Sequence, residues 1–311
     1  MDNQCKYKRI YEEKANGELE CVGLIKKGET IKVVKEITPQ QKLFLSNKNE
    51  LTQHNKQLGG FVQVCYVKNQ LLFNDLNLNQ ATISRFLYLA TYIDYNDREE
   101  NVLVKYTKNN KIEYMNKRDV KYLLNLGDTA FKSFYKEIKE KELLFEANGK
   151  IYLNPVYVNK GKSNFKDKEY ARMFIDTTRE LYENCKPRQH KHLSYVYQLL
   201  PFLHYETNIL CKNPEEIDIN KLDKLHFTDI CRMLNLSNDK KTMDKLKRDL
   251  FKFYITRDDE KYYFLSYVTI RQEIGTRSYY VVNPYVVWKG KNLQVAKDII
   301  GFLTLEHMKG R

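Results

Sequence analysis

The nearest approach to catalytic chemistry in this 311-residue chain is His190-Lys191-His192. Two histidines around an apolar residue on a strand can hold a divalent metal beside a nucleophilic tyrosine, the arrangement a rolling-circle nicking enzyme needs. Here the middle residue is Lys, and the segment follows Pro187 at a helix start, so nicking is the weaker alternative. No G-x-x-x-x-G-K-[ST] loop occurs, which leaves ATP-driven work without a phosphate cradle. Cys5, Cys21, Cys65, Cys185, Cys211 and Cys231 stand singly, with no C-x-x-C pair for a zinc ribbon or a redox dithiol. The expectation is a protein that is not an enzyme and uses no metal or cofactor.

The chemistry the chain does offer is cationic and periodic. Lys132, Lys136 and Lys139 fall at i, i+4 and i+7 opposite an apolar stripe of Phe131, Phe134 and Ile138, with Thr129 and Ser133 as polar neighbours. Lys241, Lys245, Arg248 and Lys252, joined by Thr242, stand opposite Met243, Leu246, Leu250 and Phe253. A helix that packs one face on its own core and turns such a face outward can enter a major groove. Each stripe taken alone also fits an ordinary solvated helix surface. Lys and Arg total 53 against 40 Asp and Glu, a formal charge of +13, which favours polyanionic partners through counterion release. Part of that excess follows from a composition rich in Lys, Asn, Ile and Tyr.

Upstream of the first basic stripe, Asn79–Tyr95 reads as a helix, followed by a hairpin over Val102–Tyr106 and Ile112–Met115. Asn116 caps a short helix, Lys117–Leu124. A turn bearing Gly127 follows, then a second helix from Thr129 to about Glu142 capped by Asp128. Two helices joined this way are a helix-turn-helix signature. Leu143–Ala147 and Lys150–Leu153 around Asn148-Gly149 then form a hairpin, the wing.

The order repeats. Asp119-Val120-Lys121-Tyr122-Leu123-Leu124-Asn125-Leu126 returns as Asp229-Ile230-Cys231-Arg232-Met233-Leu234-Asn235-Leu236, 110 positions later, and the Asn154-Pro155 to Lys160-Gly161-Lys162 block returns as Asn283-Pro284 to Lys289-Gly290-Lys291, offset by 129. The second copy has a helix from Lys191 to Tyr205 kinked at Pro201, a pair at Phe227–Leu234 and Lys240–Tyr254, and a longer wing that takes up the 19 extra residues, with strands Tyr262–Ile270 and Arg277–Val282. Asn148, Lys150, Arg271 and Arg277 on the wings are candidates for phosphate or minor-groove contact, and an ordinary polar hairpin tip is the competing reading. Lys160, Lys162, Lys289 and Lys291 are further phosphate candidates, although a strand end and turn explain their blocks structurally.

The expected fold is α+β, tandem winged helix-turn-helix domains after a small β-rich segment. The divisions are 1–60 (strands Lys6–Glu13, Glu18–Lys27 and Thr30–Ile37, then a polar linker from Ser46 to Gly60), 61–165, a linker helix within 166–189 spanning Lys168–Asn184, and 190–311 ending in a helix over Leu293–Met308. The absence of a leader-like or membrane-length apolar run points to the cytoplasm.

The D-[VI]-x-x-[LM]-L-N-L helix, the basic helix after it and a wing ending in N-P-x-x-x-x-K-G-K resemble replication initiators and regulators of plasmids and phages from low-G+C Gram-positive bacteria. The RepL-like winged helix is the nearest feature. The resemblance covers about residues 61–162 and, more loosely, 190–291. It implies binding of repeated origin sites in double-stranded DNA and recruitment of host replication proteins, with a homodimer a further possibility. A transcriptional regulator of the same fold is the alternative, and stacking of single-stranded bases on the many Tyr residues a third.

Overall fold

The computed structural model describes residues 7–13, 18–26, 38–67, 70–71, 76–95, 100–107, 109, 111–161, 169–271, 276–290 and 292–309. Two compact units divide the chain, residues 1–46 and 47–311. In the first, β1 (Tyr7–Glu13) and β2 (Leu19–Lys26) form an antiparallel hairpin with an irregularity at Ile10/Tyr11. The strand expected over Thr30–Ile37 lies outside the described residues. The polar stretch expected to be a linker is instead the end of α1 (Pro39–Gln57), closed by Gly59 and Gly60 at φ 75° and 82°. Gln, Lys, Glu and Leu are strong helix formers, and Leu51 and Leu58 give the helix an apolar contact with Phe174, Trp288 and Leu293. Polarity there marks an exposed helix face.

The remainder is mixed α+β. First come β3 (Phe61–Val67), β4 (Gln70–Leu71), α2 (Gln80–Ala90), β5 (Val104–Tyr106), β6 (Ile112–Tyr114), α3 (Lys117–Leu123), α4 (Asp128–Glu140), β7 (Leu144–Ala147), β8 (Lys150–Leu153) and β9 (Val158–Asn159). Then follow β10 (Glu169–Phe174), α5 (Ile175–Glu183), α6 (His190–Gln198), α7 (Phe227–Met233), α8 (Lys240–Leu250), β11 (Tyr254–Arg257), β12 (Glu260–Tyr263), β13 (Leu265–Arg271), β14 (Thr276–Val282), β15 (Val287–Trp288) and α9 (Leu293–Lys309). No helix among the described residues is long and apolar enough to cross a membrane.

Three expectations change. Within the helix placed over Lys168–Asn184, Glu169–Phe174 is a strand and the helix starts only at Ile175, because β10 pairs along its length with β3. Pro201 does not kink a continuing helix: α6 stops at Gln198 and a 3₁₀ turn spans Leu200–Phe202. The cap of α4 is Gly127, while Asp128 lies inside the first turn and pairs with Lys121 Nζ at 2.5 Å.

The repeat is visible bond by bond. Asn116 N–H donates to Asp119 Oδ2 at 3.0 Å, and His226 N–H donates to Asp229 Oδ2 at 3.0 Å. Lys105 pairs with Asp119 at 2.7 Å and Lys212 with Asp229 at 3.7 Å. Asn101 and Asn208, at φ 58° and 51°, send their amides to Val158 O and Val287 O, each at 2.7 Å. The offset between equivalent residues is 110 at Asp119/Asp229, 112 at Glu137/Asp249, 121 at Leu143/Phe264 and 129 at Asn154/Asn283. The extra length therefore enters in three places rather than in the wing alone: the turn before α8, the β11–β12 hairpin after it, and the β13–β14 hairpin.

The copies meet about a local two-fold axis. β3 and β10 occupy equivalent positions and pair antiparallel, with Gln63 opposite its own equivalent, Arg172. β9 lies on the outer edge of β3 and β15 on that of β10. On α2 and α6 the contact is reciprocal: Ser84 Oγ donates to His190 O at 2.9 Å, and Ser194 Oγ donates to Gln80 O. One apolar core runs through both copies, including Ile83, Phe86, Phe134, Leu193, Val196 and Leu246.

Asn101→Ala and Asn208→Ala each remove a buried donor and place Ala at positive φ. Each should cost about 2–4 kcal/mol in chemical denaturation, with Asn208→Ala the larger because its amide also serves Val282 O.

Candidate nucleic-acid interface

Each copy presents one basic helix outward. On α4, Phe131, Phe134, Tyr135 and Ile138 are buried, whereas Thr129, Lys132, Ser133, Lys136 and Lys139 are exposed. Lys136 and Lys139 lie 3.7 Å and 3.6 Å from Glu140 and Glu146, surface pairs that water and salt weaken and that an incoming phosphate can displace. On α8, Leu246 and Leu250 are buried and Lys241, Lys245 and Arg248 are exposed. Lys240 and Lys247 share this exposure and were not singled out from sequence, since neither belongs to the chosen spacing. Arg118 on α3 adds another exposed cation, hydrogen-bonded to Tyr122 Oη at 3.2 Å.

Several sequence candidates face protein. Thr242 is committed to the helix cap: its N–H and hydroxyl reach Asp239 at 2.9 Å and 2.6 Å, bonds that hold that carboxyl down at about 2. Lys252 is half-buried, 3.0 Å from Asp249 and 3.3 Å from His192 Nδ1. Lys150 Nζ sits 3.9 Å from the Tyr114 ring centroid. The second copy keeps this cation–π contact with its partners exchanged, Lys224 Nζ standing 4.6 Å from Tyr279, so the pair is a packing element of the fold.

Lys160 and Lys289 are likewise structural. Lys160 Nζ donates to Ile93 O at 2.8 Å and Lys289 Nζ to Leu203 O at 3.0 Å, equivalent carbonyls just past α2 and α6. Burial, aided by Arg179, pushes the Lys160 ammonium down to about 8. The glycines between the lysines have separate reasons: Gly161 adopts φ 111°, and a Cβ at Gly290 would run into the Trp288 ring. Lys162 and Lys291 lie outside the described residues.

The β7–β8 hairpin closes through Asn148 and Gly149 at φ 51° and 72°, both exposed, as the Asn-Gly pair requires. In the second hairpin, Ile270 pairs with Arg277 and Arg271 with Thr276, which places both arginines at its far end. His190 and His192 are held by different partners. His190 stacks on Tyr182, and burial beside Arg85 lowers it to about 4, whereas His192 Nε2 lies 3.4 Å from Asp249.

No protein-family profile, curated protein or solved structure matches the chain.

The depressed Lys160 has a pH signature. Its folded value of about 8 lies below the ordinary 10.5, so between those limits the unfolded chain binds more protons and wild-type stability gains as pH rises. Urea denaturation of wild type and Lys160→Met across pH 7–10 should show their stability difference shifting toward wild type over that window; a pH-independent difference would contradict the burial of this amine.

Proposed function

We propose that the protein binds double-stranded DNA in a sequence-dependent way as a tandem winged helix-turn-helix protein, with α4 and α8 in major grooves and the two hairpins beside them. The carrying observation is the duplication. Two helix pairs built on the same capping-box aspartates, Asp119 and Asp229, and on the same buried asparagines and lysines each leave one cationic helix face open, α4 through Lys132, Ser133 and Lys136, α8 through Lys241, Lys245 and Arg248. Lys136 and Arg248 stand at equivalent positions, and around them the open faces are filled differently, by Lys132 on α4 and by Lys241 and Lys245 on α8, which suits two helices that read different half-sites. The local two-fold axis supports a target of two unequal half-sites in inverted orientation, because the reading helices differ in sequence.

Within this reading, the resemblance to plasmid and phage initiators favours repeated sites at a replication origin, with host replication proteins recruited there. A transcriptional regulator would use the same surfaces at a promoter. Footprinting on DNA flanking its own gene separates the two: protection of direct repeats inside an origin supports initiation, and protection of a promoter alone supports regulation.

On a duplex selected from a random library, Lys132→Ala and Arg248→Ala should each weaken binding by roughly fivefold or more and flatten the salt dependence by about one counterion. Lys160→Met, whose amine faces inward, should leave affinity unchanged. Wild-type affinity in both surface variants would refute the assigned helices.

A further inference from the structure

The two outward helices are each held to the α2–α6 pair by an acidic residue that the groove reading does not use. Glu137, on the flank of α4, accepts the Asn79 N–H at 2.6 Å and the Thr82 hydroxyl at 2.5 Å. Asp249 is its equivalent on α8, and the residue it meets, His192 at 3.4 Å, is the equivalent of Thr82. Lys252 Nζ donates to His192 Nδ1 and leaves Nε2–H to face the carboxylate, while its own charge rests against Asp249. The chemistry differs between the copies, with hydroxyl and amide on one side and imidazole on the other. The connection is the same.

Neither contact is needed to attach a helix to its own core, since Phe131, Phe134 and Ile138, or Leu246 and Leu250, already bury that face. What the acids add is direction. Apolar packing tolerates small rotations and slides, whereas a charged oxygen on a defined donor does so poorly. The anchoring residues Thr82 and His192 lie on the two helices that pack across the local axis, so each acid ties a basic helix to the element that sets its distance from the other.

We infer that Glu137 and Asp249 are positioning residues that fix the separation and angle of α4 and α8, and thereby the spacing between half-sites that one chain accepts. The inference rests on the duplex-binding reading. One added base pair moves a half-site by about 3.4 Å and turns it by roughly 35° about the DNA axis, a displacement that a rigidly held pair of helices resists and a loosened pair absorbs.

The test uses the full chain and a duplex selected by wild type from a random library, then remade with one or two base pairs inserted or deleted at its centre. Wild type should lose roughly tenfold in affinity for each one-base-pair change. Glu137→Ala, Asp249→Ala and their combination should bind the selected duplex a few-fold more weakly, with affinities that converge across the spacing series. Glu137→Gln, which keeps one acceptor oxygen and nearly the same shape, should restore part of the spacing preference, and serves as the folded comparison if an alanine variant does not fold. A uniform loss at every spacing, with the wild-type ratios kept, overturns the inference while leaving duplex binding intact. Failure of wild type to select any duplex removes the groove reading itself, and the inference with it.

Discussion

The antiparallel pairing of β3 with β10 constrains everything else in the second unit. The two strands are the same element of a duplicated sequence, so pairing them antiparallel in a register centred on Gln63 and Arg172 imposes a two-fold relation on whatever is attached to each. α2 and α6 obey that relation through their reciprocal serine bonds, and the apolar core closes across it. Arg172 is almost fully buried at this centre, and its guanidinium donates to the carbonyls of Trp288 and Gly290. A charge out of water needs such partners. The joint is therefore specific as well as apolar.

Around it, each copy separates an inner set of polar residues from an outer one. Asn101, Asn208, Lys160 and Lys289 saturate backbone carbonyls inside the fold, and they recur because the same carbonyls recur. The outer cations of α4 and α8 follow no such rule of identity. Only Lys136 and Arg248 share a position and a sign; at the same offset of 112, Lys132 is matched by Asp244 and Lys139 by Phe251, so the two outer faces differ in charge as well as in residue. The length added between the matched blocks falls outside the joint, in the turn before α8 and the two hairpins after it, where the chain can lengthen without disturbing the axis; a compensating three-residue shift lies between Ile93 and Tyr114 and their equivalents.

Much of this was legible beforehand. Asn-Gly at a hairpin tip, Asn116 before a short helix and the apolar stripes of α4 and α8 each act within a few residues, so spacing alone reveals them. The end of α1 resembles a linker in sequence because it is polar, though its residues favour helix. Glu169–Phe174 has no strong local preference and became a strand only because β3 lay ready to pair. Glu137 and Asp249 carry no local signal, since a single acid on a basic helix has the look of ordinary surface; only aligning the copies at offset 112 brings the two into register.

The amino-acid sequence by itself determined that the chain is α+β, that one module occurs twice, and which helices bear cations, since periodicity, caps and turns are short-range properties. Only the tertiary structure decided which cations face solvent. Lys132 and Lys160 are the same residue type, yet one stands on an open face and the other caps the carbonyl of Ile93, 67 positions earlier in the chain. The two-fold joint was decided there too, because strand partners and buried counterparts lie far apart in sequence and meet only when the core excludes water.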